Sequence, residues 1–454
     1  VVVFRIVFGL CMAGWAADYL LTGRVRFHCE VPAFHFTYPG FGWVVPWPGG
    51  IMVAQFAAMM IAGLLIAAGA FWRLATLTFA LGFTHFFLID RTHYQNHYYL
   101  ILLLSWMLVL IPANHSFAVD VLLRRVPHIR TMPQWALRLL QFQIAVPYVF
   151  GGIAKLDADW LTSLPMYHML LSQADRLKAL GWTTLPADAE WLASLLTWGG
   201  LAFDLLVVPA LCWRVTRWPA FVILIGFHVA NSVLFSIHVF PWLMIAASTI
   251  FWPADWPRRW FMRKAPIPLN NEASPRPISR PAVVAMGAFV MFQLVFPLRH
   301  HLYPGPAGWT EQGHYFAWRM MLRGKTSGVR FYITDPQTGR TGIADIRPFL
   351  NQEQLGKFAR DPEMILDLSR HLARQFQQST GRWPQVHALV LTSLNGRRPQ
   401  LLVDPNRDLA GEPPFAFRRD WIMPLTEPLT RDPWTVPLAA WESCLELPRL
   451  SFIR

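Results

Sequence analysis

Charge is scarce in this chain of 454 residues. Only 15% of it is Asp, Glu, Lys or Arg, against roughly a quarter of an ordinary soluble domain. Cysteine is scarce too: four residues are too few for a disulfide scaffold. There is no signal-peptide pattern with a small-residue cleavage site and no internal repeat. No Met begins the chain, so its first natural residues are expected to be missing. What is abundant is apolar: 54% of residues are hydrophobic, with 22 Trp and 33 Phe, and the net charge is nevertheless +13. A disordered basic chain would lack the aromatics. A soluble nucleic-acid binder would not space its basic residues between apolar blocks, so no nucleic-acid partner is expected. The expected class is a polytopic α-helical membrane protein with basic loops.

A membrane-crossing helix needs about 20 mostly apolar residues. Nine segments qualify or nearly so: 2–21, 51–70, 74–89, 98–111, 135–154, 191–213, 218–235, 239–252 and 282–298. Two of these, 98–111 and 239–252, are short for a full span. Nine crossings put alternate loops on alternate faces. The face that holds the N-terminus then carries thirteen Lys and Arg against three acids, and the other six against eight. Basic excess marks the cytoplasmic side. The opposite face and everything after Leu298 are thus expected in the periplasm, or a lumen, most simply across a bacterial inner membrane.

The C-terminal part differs in kind. Segments 328–334 and 386–392 alternate like strands, and Asp335-Pro-Gln-Thr-Gly and Asn395-Gly are turn signals. Leu394-Asn-Gly-Arg followed by 401–403 reads as a hairpin. Ile365, Leu368, Leu372 and Phe376 recur at helical spacing. We therefore expect a membrane domain over 1–300 and an extramembrane domain of mixed strand and helix over 301–454, with a Pro/Ser-rich linker at 270–280 ahead of the last span.

Polar groups gather at the outer ends of the spans. Ionisable groups in or capping a span are costly, and by default they suggest function. Asp90-Arg-Thr-His-Tyr-Gln-Asn-His97 leads into the fourth span. Gly151-Gly-Ile-Ala-Lys155-Leu-Asp-Ala-Asp159 ends the fifth on a lone Lys. In the seventh, His228, Asn231, Ser232 and Phe235 share one helix face, which must look into the bundle. Each has a plainer explanation. Lys155 can snorkel or pair with Asp159 four residues on. His97 can simply start a helix at the interface, and Asn231 with Ser232 can be interhelical glue. His93 and His97 have metal-pair spacing, but lack a matched carboxylate or second pair; no metal is expected. Asp204, inside the sixth span, is expected to point inward and has no assigned role.

Taken together, Phe4-Arg-Ile-Val-Phe-Gly-Leu, Asn96-His-Tyr-Tyr-Leu, Gly152-Ile-Ala-Lys-Leu-Asp-Ala-Asp-Trp, Phe227-His with Asn231-Ser-Val-Leu-Phe-Ser-Ile, Pro253-Ala-Asp-Trp-Pro-Arg, Pro297-Leu-Arg-His and Trp309-Thr-Glu-Gln-Gly-His-Tyr-Phe-Ala-Trp-Arg-Met-Met-Leu resemble, in order and spacing, the vitamin K-dependent γ-glutamyl carboxylases and their bacterial relatives, the horizontally transferred transmembrane family. The resemblance implies oxidation of vitamin K hydroquinone by O2 to the epoxide. It also implies use of the strong base so formed to carboxylate the γ-carbon of a protein Glu with CO2. It implies that Lys155 deprotonates the hydroquinone and that His97 assists at the carboxylation stage. His228, Asn231, Ser232 and Phe235 are our own candidates for holding the quinone. A Lys works as a base only where desolvation lowers its pKa, so Lys155 should turn into the bundle while Asp157 and Asp159 point away. The isoprenoid tail of the cofactor, of phylloquinone or menaquinone type, suits the lipid bilayer. Animal members carry a disulfide between membrane and lumenal domains, which implies a possible Cys29–Cys444 pair here. They also have paired lysines where this chain has Ala154-Lys155, and a longer C-terminal region that grips a propeptide. An uncoupled quinol epoxidase, or a quinone-binding membrane protein without protein carboxylation, is the alternative.

Overall fold

The computed structural model describes residues 1–129, 132–179, 181, 189–235, 239–253, 256 and 279–452. Most of the expected linker at 270–280 lies outside the described residues.

Among these residues, seven helices are long and apolar enough to cross a membrane. They are α1 (Val2–Leu21), α2 (Ile51–Ala68), α3 (Trp72–Ile89), α5 (Gln134–Ala154), α6 (Ala189–Cys212), α7 (Arg217–Phe235) and α9 (Arg280–Val295, continued by a 3-10 segment to Leu302). The two segments expected to be short are short: α4 (Asn96–Leu110) and α8 (Phe240–Ser248, with a 3-10 turn to Phe251) fall below that length. The expectation of nine spans therefore stands at seven of full length. At about 1.5 Å per residue, the 15 residues of α4 rise only about 22 Å.

Small residues let the first helices touch. A Cβ on Gly9 of α1 would lie 2.4 Å from the backbone N of Ala67, and one on Gly63 of α2 would lie 2.7 Å from that of Ala13. Each would force the helices apart, so glycine is the residue that permits this close crossing. An aromatic core follows from it: Trp15, Phe56, Phe83, Phe86 and Tyr98 pack with ring centroids 5.2–6.4 Å apart. At the N-terminal end of the bundle Arg5 is buried and donates to the carbonyls of Ala113, Ser116 and Phe117. There Asp120 accepts the backbone N–H groups of Phe71 and Trp72. α4 thus begins beside the C-terminal domain and ends beside Arg5.

The C-terminal domain is a four-stranded antiparallel sheet, ordered β2 (Thr341–Ile343), β1 (Lys325–Thr334), β3 (Gln385–Leu394), β4 (Gln400–Leu401). Both expected strands lie within β1 and β3, and the Asn395-Gly396 turn leads from β3 toward β4. That turn needs positive φ at both residues, and they adopt +54° and +77°. The expected amphipathic helix is α11 (Pro362–Thr380), capped by Asp361 and preceded by α10 (Gln352–Lys357). Its apolar face, with Ile365, Leu368 and Leu372, covers β3. Phe36, from the loop between α1 and α2, is fully buried in this same core and stacks on Phe358. The membrane domain therefore contributes part of the outer core.

The loops expected on the outer face are the ones that meet this domain. Asn351 donates to the carbonyl of Phe27, Gln354 donates to Asp90, and Arg91 pairs with Asp367. Asp159 is held by Arg397. His168 reaches the carbonyls of Asn395 and Arg431.

Candidate active site

α5 and α6 pack through the Gly-Gly pair that precedes Lys155. A Cβ on Gly152 would lie 2.6 Å from a methyl of Leu205, and one on Gly151 would lie 3.3 Å from Oδ2 of Asp204. Their absence of side chains brings α6 close, and Asp204 arrives at the end of α5. There Lys155 Nζ donates to Asp204 Oδ2 at 2.5 Å, and both side chains are buried. Lys155 Nζ also lies 5.8 Å from the ring centroid of Trp160. Lys155 neither snorkels nor pairs with Asp159, the two plainer explanations. It turns inward, against the carboxylate of Asp204, a partner that no spacing in the sequence indicates.

The acids next to Lys155 in sequence are engaged elsewhere. Asp157 caps the following turn and accepts from Arg319 at 3.4 Å. Asp159 receives both terminal nitrogens of Arg397, at 2.7 and 2.6 Å, and the side-chain amide of Asn395. Both tie the membrane bundle to the outer domain.

Lys155 and Asp204 stand in the wall of a cavity of about 610 Å³, within the usual size of small-molecule sites. The membrane helices give part of its wall an apolar and aromatic character, with Tyr148, Phe227, Phe235, Phe240 and Met244. Tyr148 and His228 are joined at 2.8 Å. His97 lies in the wall at the level where the two domains meet, its ring stacked on Phe240 with centroids 5.4 Å apart. Asn231 and Phe235 also line the cavity. Ser232 is half-buried and is not part of the wall. His93 turns away from His97: it stacks on Phe86 and meets His28 edge-on, 4.7 Å between centroids. Burial lowers its pKa to about 3, so the ring is neutral at physiological pH. Among the described residues no group of three or more His, Cys, Asp or Glu is poised for a metal. The Cys29–Cys444 pairing is not made: both thiols are free, Cys29 buried and Cys444 exposed.

The outer part of the cavity has another chemistry. Arg319, Arg323 and Arg360 line it with Glu311, His314 and Asp361. Glu311 is fully enclosed between Arg323 and Lys325. Burial alone would raise its pKa; the cations around it, Arg323 first, outweigh burial and hold it at about 2. Burial lowers the Lys325 ammonium to about 8 and the His314 ring to about 3. Arg319 is held by Asp157. Arg360 is exposed at this end; it makes no close ion pair among the described residues, and the nearest carboxylate acting on it is that of Glu311 at longer range. These outer residues were missed from sequence. Arg319 and Arg323 lie in the Trp309–Leu322 stretch or just after it, but nothing in the spacing signalled that its side chains fold over the end of α5. Asp204 did leave a signal, as an acid in an apolar span.

A membrane bundle whose buried Lys–Asp pair lines a cavity shared with the outer domain defines a class: an integral membrane protein with a ligand-sized cavity where its membrane and outer domains meet. Family profiles assign it more narrowly. The HTTM domain profile matches residues 1–256, and that of the vitamin K-dependent gamma-carboxylase lumenal domain matches residues 278–428. The chain belongs to the vitamin K-dependent γ-glutamyl carboxylase family. No solved structure matches it.

Proposed function

We propose that this protein is a membrane vitamin K-dependent γ-glutamyl carboxylase. One observation carries the reading: a single cavity joins the buried Lys155–Asp204 pair to a guanidinium-rich outer chamber. The chamber among the membrane helices suits a naphthohydroquinone. Its aromatic walls match a flat ring system, and an isoprenoid tail would extend toward the lipid from among the membrane helices that line it. When bound, the hydroquinone supplies, with O2, the strong base that the carboxylation of Glu requires.

The residues of this chain have definable tasks. Once the Lys155–Asp204 pair has released its proton to solvent, the neutral Lys155 amine takes one from a hydroquinone hydroxyl, and the Asp204 carboxylate stabilises the ammonium that re-forms. Without such a partner an ammonium in this setting would be strongly disfavoured. Asn231 orients an oxygen of the ring, while His228, fixed by Tyr148, and Phe235 shape its seat. Ser232 supports the same helix face from outside the wall. His97, where the chambers join, serves the carboxylation step. Arg360, at the outer end of the cavity and outside any close ion pair, receives the carboxylate of the substrate Glu, an anion that the planar guanidinium fork recognises well. In this division, residues 1–300 carry the quinol chemistry and residues 301–454 present the protein substrate. Nine crossings, the short α4 and α8 included, put the site and the outer domain on the periplasmic side of a bacterial inner membrane.

The decisive experiment is turnover of the detergent-solubilised protein with a Glu-containing peptide, reduced vitamin K, O2 and labelled bicarbonate. Mass spectrometry is expected to find one CO2 added on Glu, along with vitamin K epoxide. Epoxide without label in the peptide would favour the uncoupled quinol epoxidase. Neither product would leave a quinone-binding protein.

A further inference from the structure

We propose that the loop at 413–418 of the outer domain is a bilayer-docking element, inserted at the headgroup level of the outer leaflet beside the end of α9. Its sequence is Pro-Pro-Phe-Ala-Phe-Arg, and all six residues are exposed. Phe415 is 68% exposed and Phe417 is 56% exposed. Two neighbouring phenyl rings facing water on a rigid loop are unfavourable, and such a patch on a soluble surface marks an interaction site.

The loop is held out rather than left loose. Buried Arg419 donates to the carbonyls of Pro413 at 2.8 Å and Pro414 at 3.0 Å. The same guanidinium makes a bidentate pair with Glu363 in the first turn of α11. On the other flank Glu412 is buried and accepts from Arg407. Two prolines stiffen the segment between these anchors. The rings are thus presented by the domain frame, whose α11 starts at the cavity wall.

The occupant follows from position. The ring of Phe417 packs on Tyr303, centroids 4.9 Å apart. Tyr303 directly follows the 3-10 segment that ends α9 at Leu302, and both Leu298 and Leu302 are exposed there. The phenyl pair is therefore continuous with the surface of a membrane-crossing helix at its outer end. Aromatic rings belong at that depth, where one side is apolar and the other wet. Arg418, the last residue of the loop, is placed to meet lipid phosphates. A water-facing peptide groove would need unpaired backbone or a concave seat, and the loop offers two convex rings.

The test uses the full chain in nanodiscs of phosphatidylcholine and phosphatidylglycerol, a fraction of whose acyl chains carry a diazirine close to the glycerol. After irradiation, lipid-modified peptides are mapped by mass spectrometry. Modification is expected on 413–418 as well as on α9. Phe415→Asp combined with Phe417→Asp should lose the loop label and keep the α9 label, with an unchanged unfolding temperature in micelles. Phe415→Asp alone, at a ring without an aromatic partner among the described residues, should lower the loop label at least twofold. An unlabelled wild-type loop beside a labelled α9 would overturn the proposal. So would a label that survives the double substitution.

Discussion

Asp204 and Lys155 are 49 residues apart and meet at 2.5 Å, a buried carboxylate against a buried amine in the wall of the cavity. The pair is both a structural contact and a chemical unit, and the two roles can be separated. Removing one partner of a buried ion pair typically costs about 3–5 kcal/mol, while replacing both by apolar groups is often neutral. Asp204→Asn should therefore lower the unfolding temperature and abolish epoxide formation. Lys155→Met with Asp204→Leu should restore the unfolding temperature and stay inactive. If the double substitution regained epoxidation, the pair would have no part in the chemistry.

Arg360 is a prediction about the substrate rather than the quinone. Arg360→Gln should raise the KM for a Glu peptide about tenfold, which corresponds to about 1.4 kcal/mol, and leave epoxidation at saturating peptide unchanged. Arg360→Lys should recover part of the loss, since the charge remains but the planar fork does not. An unchanged KM in Arg360→Gln would remove this residue from substrate recognition.

Glu311 sets an acid limit on the outer domain. Its carboxyl is held at about 2, below the ordinary 4.5, by Arg323 and Lys325 against the effect of burial. The lower folded-state value means that its ionised form stabilises the fold fully above pH 4.5. That contribution, about 3 kcal/mol for a shift of this size, is lost as pH falls toward 2. Urea midpoints followed by Trp fluorescence should therefore separate wild type from Glu311→Gln at pH 6 and converge near pH 2. A gap that stays constant with pH would show that the charge of Glu311 is not what the cluster uses.

Much of this architecture is legible in the sequence, and the illegible part has a physical cause. Apolar runs mark α1 to α9 because lipid demands continuous hydrophobicity. Alternation and Asn395-Gly396 mark β1, β3 and their turn because one face of the sheet is buried. Lys155 stands out as a lone cation at a span end. What cannot be read locally is which charges pair, because that depends on how closely helices approach. Gly151 and Gly152 remove the side chains that would keep Asp204 at a distance, and no spacing rule connects positions 155 and 204. The same holds for Arg397, 238 residues from Asp159. Chain proximity makes Asp159 the natural partner of Lys155, and a domain interface takes it away.

That competition gives the most direct test of the geometry. Asp159 lies four residues from Lys155, yet its two oxygens are occupied by Arg397 at 2.6 and 2.7 Å. If it acts as a clamp between domains, Asp159→Asn should leave the pH dependence of epoxide formation unchanged, because no charge near Lys155 Nζ has been altered. It should instead loosen the outer domain. Hydrogen exchange should rise around the Asn395-Gly396 turn and at 157–168, where His168 holds the same turn through the carbonyl of Asn395. A double-mutant cycle of Asp159→Ala and Arg397→Ala should give a coupling of about 1–3 kcal/mol, since the pair is bidentate and mostly shielded. Asp204→Asn should do the reverse, acting on proton transfer and leaving exchange at the turn unchanged. A shifted pH profile in Asp159→Asn would mean that this carboxylate acts on Lys155 after all, and the division of labour between the three acids would have to be redrawn.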